Sequence, residues 1–302
     1  MVNTMIESAK QSKFRLPALL IPVVAFGLNF IGDSLGGNFA VMLCTKLSLD
    51  GANTNRLLLA STVFNALMVF VWIKFAEGRK FRTLGLGKTG VGKGSAIGAA
   101  TGLLSFSAIV GVGYAAHVLK FQGADVGAWN IFSVLLMMPF WFIQAGSEEF
   151  LTRGWVLPEV SAKTNRLAGI ILSSLLFAAM HIGTAGFSAM AVVNVFLIGV
   201  LLALFTLKRD SLWGAIMFHT FWNFTQGTLF GLSVSGGSAQ KPSLMNFISE
   251  GSALLSGGTF GIEASIFTTI AAVIMIAVLL LADKGRLVKT LMIKGGNAVE
   301  EY

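Results

Sequence analysis

Long apolar runs separated by short basic segments dominate this chain. Eight runs stand out, at about 16–32, 57–74, 95–118, 128–150, 167–182, 188–207, 211–231 and 262–282. Most approach the ~20 residues that a helix needs to cross a bilayer. The fifth and sixth are shorter, which a helix inside a bundle tolerates. The pattern predicts an all-α, polytopic transmembrane bundle of about eight helices, one integral membrane domain over residues 1–302. The first run can serve as an uncleaved anchor, so no cleavable signal peptide is required. The Gly/Ser-rich stretch 231–261 reads as the longest outer loop, mobile, and able to cover an entrance.

Composition sharpens this picture. Hydrophobic residues make up 55% of the chain and charged ones only 12%, about half the charge of a soluble domain. The net charge of +8 does not indicate nucleic-acid binding, because the basic residues flank apolar runs instead of forming one patch. With the N-terminus in the cytoplasm, only Lys46, Arg56, Lys120 and Lys241 of the 22 Lys and Arg residues fall on the outer side. That bias predicts both termini inside, in a multi-pass protein of the cell membrane. The one cysteine, Cys44, excludes an internal disulfide and a thiolate metal cluster.

Two motifs are structural or void. Gly98 and Gly102 form a GxxxG in the third run, which predicts close helix packing. Residues 85–95, "GLGKTGVGKGS", imitate a phosphate-binding loop. Gly94 stands where that loop needs Ser or Thr for magnesium, and no strand precedes it. This segment reads as a basic cytoplasmic loop facing anionic lipid.

The informative residues are the ionisable ones inside apolar runs, where each costs roughly 2.5–3.5 kcal/mol to insert. "QAGSEEFLTRGW" (144–155) carries Glu148, Glu149 and Arg153; "FAAMH" ends on His181; "HTFWN" carries His219 and Asn223. His117, at the outer end of its run, needs no special role. Four-residue spacing sets Glu149 with Arg153, and His219 with Asn223, on common helix faces. Glu148 is turned about 100° from Glu149, so the two carboxylates should serve different neighbours.

Depth constrains the fourth helix. If Arg153 marked the membrane face, Glu149 and His181 would lie at different levels. If the face lies near Lys163, Glu149 is about 21 Å deep, His181 about 22 Å, His219 about 15 Å and Asn223 about 21 Å. The helix should therefore run on past the glutamates, kink before Pro158, and bury Arg153 as the partner of a glutamate. Such charges require a polar cavity.

A carboxylate beside an imidazole can take a proton from water, and a second histidine with an amide can hold a developing oxyanion. That set suits amide hydrolysis by water. Glu148, His181 and His219 would also make a zinc set with one open position, although the contiguous H-E-x-x-H is lacking. Spacing leaves a divalent metal and metal-free activation equally open.

"EEFLTR", "FAAMH" and "HTFWN" resemble the E-E-x-x-x-R, F-x-x-x-H and H-x-x-x-N motifs of the CPBP family. This family holds CAAX prenyl endopeptidases, abortive-infection proteins, and bacteriocin-processing and immunity proteins. The resemblance covers roughly residues 128–231. It implies an intramembrane endopeptidase acting on a membrane-associated or lipidated peptide. By that resemblance Glu148 and His181 activate water, His219 and Asn223 stabilise the oxyanion, and Glu149 and Arg153 support them. Phe177 and Trp222 read as packing. The competing reading is a non-catalytic immunity protein or a proton-coupled transporter that uses the same polar cavity. Transport would favour two related halves, and the sequence shows no internal repeat.

Overall fold

The computed structural model describes residues 3–88, 90–239 and 241–282. The C-terminus, with Lys284, Arg286, Lys289 and Lys294, lies outside the described residues, and so does its expected cytoplasmic placement. Each apolar run becomes a helix. A short amphipathic helix α1 (Thr4–Lys10) precedes α2 (Leu20–Leu47), α3 (Gly51–Ala76) and α4 (Lys93–Ala115). Strand β1 (Leu119–Ala124) leads to α5 (Ala128–Lys163), followed by α6 (Arg166–Ala179) and α7 (Ala189–Arg209). Next comes α8 (Trp213–Asn223), which continues as a π-helical stretch, Phe224–Leu229. Strand β2 (Met245–Ser249) and α9 (Ile266–Ala282) complete the chain.

The protein is a helical membrane bundle. α2, α3, α4, α5 and α7 are each long and apolar enough to cross a membrane. Local chemistry sets the starts of several helices. The side chains of Asp50, Asn165 and Ser188 accept from the backbone N–H groups of Asn53, Ala168 and Ala191. Those caps satisfy donors that a helix start leaves open. α7 ends at Asp210 in the left-handed region, φ 47°, and the Asp210 carboxylate then accepts from Thr4 N and Met5 N at the start of α1.

Three boundaries differ from the hydrophobic pattern. α2 extends to Leu47, well beyond the expected end near residue 32. Asn29 and Asp33 lower its local hydropathy because that face turns toward a cavity. α5 runs through Arg153 to Lys163, as the depth argument required, and a π-helical segment, Phe150–Val156, lies directly before Pro158. The stretch 231–261 is more than a loop. Its strand β2 pairs antiparallel with β1, and Leu232, Val234 and Phe260 are buried.

Segments assigned to one face by charge do meet at one end. Asn55 and Arg56 donate to the carbonyls of Lys241 and Ser133, and Asn130 donates to that of Ser243. At the opposite end Arg79 pairs with Glu77 and Glu159, and Leu212 N donates to Gly85 O.

Small residues let the helices approach closely. A Cβ on Gly98 would lie 2.1 Å from Gly214 O, and one on Gly102 would lie 2.4 Å from Phe218 O. The GxxxG of α4 is thus seated against α8. Gly32 and Gly36 of α2 do the same against Asn65 and Ser61 of α3. Gly102→Val should push α4 from α8 and cost about 1–3 kcal/mol. A lower thermal midpoint in detergent reads this out, and Gly111→Val, at a position with open space, should leave the midpoint unchanged.

Candidate active site

The glutamates lie at the last α-helical positions of α5 before its π-helical segment, and Asn223 is the last before that of α8. Such insertions alter helix phase and often mark functional positions. Here the first begins directly after the glutamates and includes Arg153, and the second begins directly after Asn223. Trp141 Nε1 on α5 donates to Thr228 Oγ1 in the π-helical part of α8 at 2.8 Å, which ties the two helices together.

Glu149 and Arg153 are fully buried, and Arg153 Nη1 donates to Glu149 Oε1 at 2.9 Å. The guanidinium lies over the Phe177 ring, 4.2 Å from its centroid. His219 Nδ1 donates to the same Glu149 oxygen at 3.1 Å. On the other side His219 Nε2 lies 3.9 Å from Glu148 Oε2. His219 therefore stands between both carboxylates. The expectation that the two glutamates serve separate neighbours holds for Arg153, which pairs with Glu149, but both face this one ring.

Glu148 is held by Gln144, one turn earlier, whose Nε2 donates to Oε1 at 2.5 Å. Asn223 Nδ2 donates to Gln144 Oε1 at 2.9 Å. A relay of amides thus runs from α8 to the carboxylate, while Glu148 Oε2 is buried with no hydrogen-bond partner among the described residues. His181 follows the end of α6, and its Nδ1 donates to Phe177 O at 2.8 Å. That bond leaves Nε2 free to accept. Phe177 is more than packing. Its ring contacts Arg153, His181 and His219, and its carbonyl orients His181. Trp222 does pack, between Phe106 and Phe218.

These groups open onto one cavity of about 240 Å³. Glu148, His181, His219, Asn223 and Gln144 line it, together with Asn29, Asp33 and Asn65 from α2 and α3 and Ser235 from the outer segment. Sequence reading missed Gln144, Asn29, Asp33 and Asn65. The four-residue spacings Gln144–Glu148 and Asn29–Asp33 were the available signal. Glu149 and Arg153 stand behind the wall and do not line it.

Among the described residues no group of three or more His, Cys, Asp or Glu side chains is arranged to hold a metal ion. Glu148, His181 and His219 share the cavity, but they come from three separate elements, and His219 is turned toward Glu149 through Nδ1.

Fold and site together define a polytopic membrane protein with a polar, acid- and histidine-lined cavity in its apolar interior. Residues 129–225 match the family model described as "Rce1-like: Type II CAAX prenyl endopeptidase Rce1-like". All three motifs fall inside that segment, which is similar to the CAAX-protease family over about a third of the chain. Comparison with curated proteins and with solved structures finds no match.

The buried pair gives a direct test. Arg153→Met strands the Glu149 charge and should destabilise the protein by about 3–5 kcal/mol. The double variant Glu149→Gln/Arg153→Met removes that charge and should regain part of the loss, measured as the denaturation midpoint in matched detergent.

Proposed function

We propose that this protein is an intramembrane endopeptidase of the cell membrane that hydrolyses a peptide bond of a membrane-associated or lipidated substrate. The observation that carries this reading is the unpartnered Glu148 Oε2 in a cavity shared with His181, His219 and Asn223. In this mechanism a water molecule sits between Glu148 and the free Nε2 of His181. Glu148 takes its proton as the oxygen attacks the substrate carbonyl. The carbonyl oxygen becomes negative and is held by His219 and Asn223. The C–N bond then breaks, and the proton held by Glu148 passes to the leaving amine.

The oxyanion role makes a demand on His219. With Nδ1–H given to Glu149, Nε2 can donate only if the ring carries both protons, and the two flanking carboxylates supply the matching charge. Asn223 uses one amide hydrogen on Gln144 and keeps the other for the oxyanion. Arg153 and Glu149 act as positioning residues, through His219.

Glu148→Gln should lower turnover about 10²–10⁴-fold while the thermal midpoint and detergent-solubilised size stay those of the wild type. Mass spectrometry of membrane peptides from cells carrying either protein provides the measurement. Equal cleavage by both proteins excludes Glu148 as the base.

A further inference from the structure

The proposed hydrolytic residues share their cavity with a second polar set, from α2 and α3. Asp33 of α2 faces the cavity. Its Oδ2 accepts Nδ2–H of Asn29 at 2.7 Å, and its Oδ1 accepts Nδ2–H of Asn65 of α3 at 2.7 Å. Asn65 also donates to Asn29 Oδ1 at 3.2 Å. Both amides are buried, at 6% and 4% exposure. The small residue Gly32, against Asn65, lets α2 and α3 come close enough to close this clamp.

Two neutral amides orient a carboxylate but do not neutralise it. Among the described residues Asp33 forms no ion pair, and Arg153 is committed to Glu149 behind the cavity wall. Glu148 lines the same cavity, and its Oε2 is buried without a hydrogen-bond partner among the described residues. His219, whose Nε2 lies 3.9 Å from Glu148 Oε2, is bound to Glu149 through Nδ1. Asp33 itself is exposed and lines the cavity, so its remaining lone pairs are open to a cation that a ligand carries.

We propose that Asp33 is a specificity-determining residue that binds the ammonium or guanidinium of a Lys or Arg side chain flanking the scissile bond. This assignment rests on the protease reading for its substrate class, but the cation site itself does not. In the bound state the basic group takes up the free lone pairs of Asp33 and draws the adjacent peptide bond toward Glu148. Asn29 and Asn65 are positioning residues, because they hold the carboxylate without touching the ligand.

Two measurements separate the two readings. Binding of n-butylammonium to the wild-type protein in nanodiscs, against 1-butanol as the neutral isostere, tests the cation site without any catalysis. Saturable binding that weakens about tenfold or more in Asp33→Asn, and persists in Asp33→Glu, is the expected result. Equal binding by the wild type and Asp33→Asn overturns the site. The second measurement takes the Glu148-dependent cleavage sites found by mass spectrometry. Lys or Arg should be enriched within a few residues of the cut, and the enrichment should vanish with Asp33→Asn. Replacing that basic residue by Gln in the substrate peptide should lower kcat/KM about tenfold or more with the wild-type protein. That readout does not depend on any variant folding. Glu148-dependent cuts without basic neighbours overturn the inference and leave the protease standing. If no product depends on Glu148, the protease reading fails, and the butylammonium result alone decides whether the cavity binds cations.

Discussion

The buried contact between Glu149, Arg153 and His219 is the constraint on which the rest of the site depends. A charge enclosed in an apolar bundle persists only where an opposite charge and hydrogen bonds surround it. Glu149 accepts from both Arg153 and His219, so one oxygen joins α5 to α8. Phe177 brings α6 to the same point, with its ring under the guanidinium. Three helices are thereby held in one register. The other groups lining the cavity take their positions from a contact of which His219 alone faces it.

Close helix approach is the second requirement. An ion pair of this kind is short-ranged, and the helices that carry it must not be held apart by bulky neighbours. Gly98 and Gly102 let α4 touch the backbone of α8, which supports α8 from behind while its other face carries His219 and Asn223. The π-helical stretches that follow Glu149 and Asn223 complete this arrangement. The first begins directly after the glutamates and carries Arg153, and the second begins directly after Asn223 and carries Thr228, which meets Trp141.

Much of this was legible in the sequence because it follows from cost. Eight apolar runs announce eight apolar helices. An arginine inside one of them announces a buried partner, and comparing depths in residues shows that α5 must pass beyond Arg153. The three motifs mark residues that do share one region. What escaped notice are polar groups whose meaning is relational. Gln144 looks like an ordinary helix residue until Asn223 and Glu148 are seen on either side of it. Asn29 and Asp33 made the first run appear to end early, because average hydropathy cannot distinguish a helix that stops from one that turns a polar face inward. The β1–β2 pair was invisible for a similar reason, since its two strands lie more than a hundred residues apart. His219 offered a subtler lesson. Helix phase separated the glutamates correctly, but phase on one helix says nothing of a ring from another that is wide enough to face both.

The cavity is therefore asymmetric in a way that bears on chemistry. On the α5–α8 wall Glu149 is paired with Arg153 behind the cavity lining, and His219 stands between Glu149 and Glu148. On the α2–α3 wall Asp33 is fixed in place by two amides and left unmatched. The fold gives Glu149 an arginine one turn away, and a Lys or Arg one turn from Asp33 would have served in the same way. It places asparagines there instead, which hold direction without supplying charge. Binding and proton transfer are thus divided between two walls: one carboxylate oriented for a partner that arrives, and one carboxylate oxygen kept free for a proton that leaves.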